Sequence, residues 1–129
     1  MPLRQTFGKA ERLKSRKSID ALFNEGQRFN KGSIRVLYRV VPEPGIRVGV
    51  GVSTRQFKRA VDRNRVKRLL REAYRLQKQA LTPSLEKVSG IDIFFIYTAT
   101  TLPEYAELAA QVEQILTKLN TLLVSTSTP

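Results

Sequence analysis

The sequence RNRVKRLLREAYR, Arg63–Arg75, holds six basic residues among thirteen and one acid, Glu72. Its apolar residues recur at the spacing of three and four that is typical of an amphipathic α-helix. With about 100° per residue, one arc gathers the side chains that would pack on a neighbouring layer: Val66, Leu69, Leu70, Ala73 and Leu76, with Asp62 and Gln77. The pattern predicts a helix that follows the loop Ser53–Lys58, ends near Gln79 and lies with one face in the core.

The opposite side of this helix carries almost only positive charge. We call it the basic arc; it comprises Asn64, Lys67, Arg68, Arg71, Arg75 and Lys78, with Arg63 and Arg65 at its flanks. A solvated helix face usually mixes both signs, because like charges four residues apart repel each other. The planar guanidinium of arginine suits bidentate contact with phosphate. The basic arc therefore predicts a nucleic acid partner, and RNA in particular.

Charge is unevenly distributed over the 129 residues. The chain has 23 Lys and Arg and 11 Asp and Glu, for a net charge of +12. Residues 1–78 hold 21 of the basic and 6 of the acidic side chains, and residues 79–129 hold 2 and 5. This segregation predicts a polyanionic partner for one part of the molecule, either nucleic acid or an acidic membrane.

Composition also excludes several classes of chemistry. The chain contains no Cys and no His, which excludes disulfides, thiol chemistry, zinc sites and His-based triads. No signal-peptide pattern and no run of about 20 apolar residues occurs. We therefore expect a cytoplasmic location.

The segments on either side of the basic helix read as strands and short helices. Ile34–Val41 and Ile46–Val52 have strand patterns, and the turn Pro42–Gly45 between them predicts a hairpin. In the second strand, glycines alternate with valines, so that one face is bare. Ile91–Tyr97 is a near-continuous apolar run, typical of a buried strand. A short helix, Ile19–Glu25, precedes these elements, and an amphipathic helix over residues 105–122 closes them, all within one domain.

Several separate motifs resemble those of the bacterial ribonuclease P protein component. The stretch Arg63–Glu72, preceded by K-R-A-V, matches the family's R-N-R motif. The other matches occur in the family's order: R-L-K at Arg12–Lys14, F-x-x-G at Phe23–Gly26, V-L-Y at Val36–Tyr38 and R-V-G-V-x-V-S at Arg47–Ser53. The resemblance spans roughly residues 9–122.

The resemblance implies a single-domain α/β fold of the two-layer α+β type. Helices pack on a four-stranded sheet, as in a ribosomal-protein-like sandwich, in the order α-β-β-β-α-β-α with a left-handed crossover through the basic helix. A further short strand, which the sequence pattern alone does not indicate, is implied near Gln27–Lys31. Within the single domain, 1–129, we expect the core to cover about 9–122, with 1–8 and 124–129 flexible.

The resemblance also implies a function. The family's protein is the subunit of ribonuclease P that binds the catalytic RNA and the 5′ leader of precursor transfer RNA. It assists the magnesium-dependent endonucleolytic removal of that leader, while the RNA subunit performs catalysis. Six residues match the family's motif: Arg63, Asn64, Arg65, Lys67, Arg68 and Arg71. We expect these residues to bind RNA together with Arg55, Lys58, Arg59 and Arg75.

The resemblance further implies a cleft for the leader. We expect Ile19, Phe23, Tyr38, Asn64 and Lys67 to line it, of which Phe23 and Tyr38 match the family's aromatic positions. Ile19 stands where the family often has a second Phe, so an apolar contact replaces stacking there. Phe57 lies in a loop that is bulkier than the family's usual form, and the sequence leaves open whether it fills the core or contacts a ligand.

The carboxylates are too dispersed for chemistry by the protein itself. Asp62 and Glu72 lie ten residues apart on one helix, about 15 Å along its axis, and cannot share a metal ion. Asp92 is isolated in its predicted strand. We therefore expect no catalytic residue, no metal site and no small-molecule substrate, with magnesium held by the RNA subunit and substrate.

Two other functions compete with this interpretation. A ribosomal or other structural RNA-binding protein of similar fold would show the same charge. A membrane-surface protein ranks last, because the core needs the apolar face of the basic helix.

Overall fold

A computed structural model of the chain describes residues 12, 13 and 15–126. Its elements, in chain order, are α1 (Arg16–Glu25), β1 (Gln27–Lys31), β2 (Ile34–Val41), β3 (Gly45–Val52), α2 (Ala60–Gln77), a 3₁₀ turn (Lys78–Leu81), α3 (Thr82–Leu85), β4 (Gly90–Tyr97) and α4 (Tyr105–Thr126). This order confirms the implied α-β-β-β-α-β-α fold, with α3 as one additional helical turn. The short strand β1 occupies the implied residues. Helix α4 continues three residues into the segment 124–129, while residues 1–8 and 127–129 lie outside the described part.

The four strands form one sheet in the order β1-β2-β4-β3. Strands β1 and β2 form an antiparallel hairpin around Gly32, whose φ of 57° suits a glycine in a tight turn. Strand β4 pairs antiparallel with β2 and parallel with β3. The predicted hairpin of β2 and β3 is therefore wrong: β4 separates them, and α2 lies on the connection between the parallel strands β3 and β4.

The larger part of the core lies on the face of the sheet that α2 and α4 cover, which we call the α2/α4 face. Alternate residues of β2 and β4 point there, including Ile34, Val36, Ile93 and Phe95, all with no exposed surface. From α4, the side chains that meet them are Leu108, Val112, Ile115, Leu116, Leu119 and Leu123. Complete burial of each such side chain contributes about 1.5–3 kcal/mol to folding. This layer holds α2 in place.

The opposite face of the sheet, the α1 face, carries a smaller apolar cluster. Leu13, Leu22 and Leu37 are buried there, and Ile19, Phe94 and Ile96 pack against them half-buried. The two-layer description thus applies to the main core, while α1 adds a partial layer on the other side. The N-terminal segment also protects the edge of β3, because the Leu13 amide donates to the Val48 carbonyl at 3.0 Å.

A buried ion pair joins neighbouring strands at one end of the sheet. Asp92 in β4 is 3% exposed and accepts a hydrogen bond of 2.7 Å from Arg47 Nε in β3. The same guanidinium donates to the carbonyls of Pro44 and Glu43, at 3.1 and 3.2 Å. The sequence pattern suggested that Asp92 is isolated in its strand, and this prediction is wrong. Its carboxylate forms a structural ion pair with Arg47, whose guanidinium also holds the turn before β3.

Candidate RNA interface

Helix α2 packs on the sheet through a line of four residues. Val66, Leu70, Ala73 and Tyr74 are buried, and the Tyr74 ring lies 6.2 Å from that of Phe95 in β4. Farther along the same line, Gln77 donates to the carbonyl of Ala109 in α4 at 3.0 Å. These contacts fix the rotation of α2 about its axis, and thereby the direction in which its cations point.

This rotation differs somewhat from the predicted one. Leu76, assigned to the buried arc, is 39% exposed, and Tyr74 takes its place in the core. Val61 is 68% exposed at the start of the helix. The prediction of Val66, Leu70 and Ala73 as core residues is confirmed.

The outer side of α2 presents cations to solvent. Asn64, Arg65, Arg68 and Arg71 are exposed, and Lys67 is half-buried at the margin. A surface groove runs across this side and is lined by Val61, Asn64, Arg65, Arg68, Leu69 and Arg71. Among these groove residues there is no carboxylate. The groove can accept an anionic chain with guanidinium groups along it.

One cation of the basic arc is paired within the helix. Arg75 donates from Nε and Nη2 to the Glu72 carboxylate, at 3.0 and 2.5 Å. The hydrogen bond from Arg75 holds the pKa of Glu72 below its usual range and raises that of Arg75. Because Arg75 is paired with Glu72, it carries less net charge toward a ligand than its neighbours do.

The first arginine of the R-N-R motif points back toward the preceding loop. Arg63 Nη1 donates to the carbonyl oxygens of Phe57 and Lys58, both at 2.8 Å. Phe57 is 7% exposed, and its ring stacks on that of Tyr97 at 6.1 Å. Phe57 is therefore a core residue, which answers the question that the sequence left open. The three cations of the loop, Arg55, Lys58 and Arg59, are exposed.

A cavity of about 260 Å³ lies between α1, the edge of the sheet and α2. Its lining comprises Arg12, Leu13, Ile19, Val48, Gly49, Val50, Arg71 and Phe94. The Phe94 ring lies across the bare face of β3, because a Cβ on Gly49 would stand 2.7 Å from it. The Phe23 ring from α1 meets Phe94 edge-on, with centroids 5.3 Å apart, and Phe23 is 38% exposed. Aromatic rings and a guanidinium thus border one cavity.

The structure brings together only part of the predicted leader cleft. Ile19 lines the cavity and Phe23 borders it through Phe94. Tyr38 lies on the α2/α4 face, where its ring contacts Phe29 at 6.1 Å and burial raises its pKa. Asn64 lines the outer groove of α2, Lys67 is half-buried, and neither lines the cavity.

Strand alternation explains why Tyr38 is separated from the others. Leu37 points toward α1, so its neighbour Tyr38 must point the opposite way. The sequence pattern also does not indicate Phe94, because the run Ile91–Tyr97 is apolar on both faces and hides which residues point toward α1. The signal was indirect: the bare face at Gly49 leaves room for a bulky side chain on the strand paired with it.

The described carboxylates do not form a metal site. Across residues 12, 13 and 15–126 there is no group of three or more acidic side chains that could bind a metal ion. In the same part of the chain, no helix is both long and apolar enough to cross a bilayer. What the described surface offers is a set of cations, with a cavity bordered by aromatic rings beside them.

Comparison with known proteins identifies the family of this chain. A family described as Ribonuclease P matches residues 7–120. The chain belongs to the ribonuclease P protein family. Its role is that of the protein subunit of ribonuclease P, an endoribonuclease of transfer RNA processing, and RNA binding is consistent with that role. The family assignment favours this role over the ribosomal alternative.

Individual ribonuclease P proteins support the assignment. The ribonuclease P protein component of Porphyromonas gingivalis is 38% identical over 120 residues, which are 88% of each chain. That of Chlorobaculum tepidum is 32% identical over 124 residues, 86% of this chain and 80% of the relative. Similarity therefore extends over most of both chains.

Two solved structures share the fold. The ribonuclease P protein of Staphylococcus aureus superimposes with a TM-score of 0.68 at 21% identity, covering 86% of this chain and 96% of that one. The protein of Thermotoga maritima gives a TM-score of 0.68 at 24% identity, covering 84% and 96%. The helix and strand arrangement is thus that of known ribonuclease P proteins.

Proposed function

We propose that the two surfaces beside α2 bind different parts of a ribonucleoprotein and its substrate. The basic arc contacts the catalytic RNA subunit, and the cavity on the α1 face holds the single-stranded 5′ leader of precursor transfer RNA. One observation carries the proposal: Arg71 lines both the outer groove and the cavity. A nucleotide in the cavity would therefore lie directly beside the RNA-facing surface.

The chemistry of each surface supports its assignment. Exposed guanidinium groups on Arg65, Arg68 and Arg71 can contact backbone phosphates without reading sequence. The rings of Phe23 and Phe94 offer stacking to unpaired bases, which is worth about 1–3 kcal/mol per base. A duplex hides its base faces, so the cavity favours single-stranded RNA.

The protein contributes positioning and charge neutralisation in this proposal. Hydrolysis of the precursor requires magnesium, and the described acidic residues do not fit a site for it: Asp92 is paired with Arg47, and Glu72 with Arg75. We assign the metal ions to the RNA subunit and the substrate. The complex would work in the cytoplasm, without a membrane or a small-molecule substrate.

Reconstitution tests the proposal directly. The protein is mixed with a bacterial-type catalytic RNA, and cleavage of precursor transfer RNA is followed at low magnesium concentration. We expect strong stimulation of cleavage at the mature 5′ end. Absence of stimulation, together with equally tight binding to an unrelated structured RNA, would instead support a purely structural RNA-binding role.

Matched variants separate the two surfaces. Phe23→Ala should weaken binding of a precursor that carries a leader and leave binding of mature transfer RNA unchanged, because only the former reaches the cavity. Arg68→Gln should weaken assembly with the catalytic RNA, since Arg68 lines only the outer groove. Loss of leader preference in Arg68→Gln but not in Phe23→Ala would contradict this division.

A further inference from the structure

Arg63 differs from the other arginines of its motif in what its guanidinium contacts. It lies in the first turn of α2, half-buried, and Nη1 donates to two successive carbonyl oxygens, those of Phe57 and Lys58, at 2.8 Å each. Arg65, two residues later, is exposed. The positive end of the helix dipole lies at this terminus and disfavours a cation. Two charge-assisted hydrogen bonds offset that cost and tie the side chain to the loop.

The other attachments of the loop before α2 lie at Phe57 or before it in the chain. Gln56 Nε2 donates to the Thr98 carbonyl at 3.3 Å, and the Arg55 amide donates to Ser53 Oγ at 3.0 Å. The amides of Gln56 and Phe57 donate to the Ser53 carbonyl, each at 3.2 Å, and the Phe57 ring anchors the middle of the loop in the core. Arg59 is the N-cap residue of α2 and forms no side-chain capping bond. Between the Phe57 anchor and the helix, the guanidinium of Arg63 is therefore a principal link that fixes the backbone of Lys58.

We propose that Arg63 is a positioning residue for RNA binding. It holds the segment that carries Lys58 and Arg59 against the first turn of α2, so that these two exposed cations meet the same RNA as the basic arc. Its Nη1 donates to the two carbonyls, and in this proposal Arg63 acts through the loop and not through a phosphate contact of its own. The inference rests on the proposed RNA-binding role of this surface.

A double-mutant cycle on RNA affinity tests the proposal. The affinity for the catalytic RNA is measured for Arg63→Gln, for the pair Lys58→Gln and Arg59→Gln, and for all three changes together. If Arg63 acts through the loop, the loop cations contribute less to binding once Arg63 has been replaced. The loss of affinity on replacing Lys58 and Arg59 should therefore be at least about fivefold smaller in Arg63→Gln than in the unaltered protein. The matched control is the same cycle with Arg65→Gln in place of Arg63→Gln. There the affinity loss from Arg65→Gln and the loss from the loop pair should be additive within about twofold. Additive losses for Arg63→Gln would overturn the proposal.

A second measurement needs no RNA. Limited trypsin digestion of the free protein should cleave after Lys58 and Arg59 faster in Arg63→Gln than in Arg65→Gln, at equal stability to urea. Unchanged cleavage would overturn the positioning role even if RNA binds, whereas failure of every variant to bind the catalytic RNA would refute the proposed function alone. If Arg63→Gln does not fold, Arg63→Lys keeps the charge but replaces the guanidinium, and the same cycle and digestion apply.

Discussion

Substitution of Gly49 by alanine tests whether the cavity on the α1 face receives the leader. A Cβ at this position would lie 2.7 Å from two atoms of the Phe94 ring, Cδ2 and Cε2. Ordinary carbon contacts begin at about 3.5 Å, so the ring must shift by about 1 Å. Phe94 lines the cavity and meets Phe23, so this shift changes the aromatic border without removing an aromatic or a charged group.

The expected loss follows from the stacking that the displaced ring would no longer provide. A stacked base is worth about 1–3 kcal/mol, which corresponds to about a fivefold to hundredfold loss of affinity for leader-bearing RNA. Overpacking of this kind also lowers the free energy of unfolding by about 1–3 kcal/mol. A control must therefore lose comparable stability elsewhere. Gly45→Ala serves, because Gly45 has a φ of 95° with no atom within 4 Å of an added Cβ.

The assay compares equilibrium binding of precursor and mature transfer RNA by the holoenzyme reconstituted with each variant. Gly49→Ala should weaken precursor binding and leave mature transfer RNA unaffected, while Gly45→Ala should change neither. Equal losses for precursor and mature RNA, or an unchanged precursor affinity with the folded protein confirmed by its urea transition, would refute the assignment of this cavity to the leader.

Three further outcomes follow from other parts of the structure. Arg68→Gln and Arg71→Gln should each lower the slope of log affinity against log salt by about 0.7–0.9, and unchanged slopes would place the basic arc away from RNA. Asp92→Ala leaves Arg47 partly buried without its carboxylate, so urea unfolding should show a loss of about 3 kcal/mol; a loss below about 1 would contradict the structural role of the pair. Burial raises the pKa of Tyr97 above its usual value of 10.0. The stability that the protonated Tyr97 contributes is therefore complete below pH 10 and is lost as the pH rises through the folded-state pKa. The decline in urea stability above pH 10 should be shallower in Tyr97→Phe, and an identical decline would exclude Tyr97 as its source.

Local pattern predicted the elements of the fold better than their pairing. The strand pattern of Ile34–Val41 matches β2 to the residue, and that of Ile46–Val52 matches β3 within one residue. The intervening turn nonetheless suggested a hairpin, because alternation reveals which side of a strand is apolar and not which strand lies beside it. Strand β4, which lies between β2 and β3, is apolar on both faces. Its sequence pattern therefore does not show which strands pair with it.

The candidate site was predictable where one helix determines it and unpredictable where several elements meet. The helical period identified the exposed Arg65, Arg68 and Arg71. It could not fix the centre of the buried face, which the contact of Tyr74 with Phe95 sets. It also could not foresee that Arg63 would turn inward, because its partners are backbone carbonyls that a sequence does not display.

The place of β4 in the sheet has a consequence for how the chain folds during synthesis. Each residue of β3 pairs with a residue of β4 that is 45 positions later, and Ile34 pairs with Tyr97, 63 positions later. Only the hairpin of β1 and β2 can form early, and loop closure must precede every other strand contact. We therefore expect a ribosome-bound chain that ends before Gly90 to stay unfolded, with α2 made but lacking the layer on which it packs. Helix α2 would acquire its fixed orientation only after the last strand has left the ribosome.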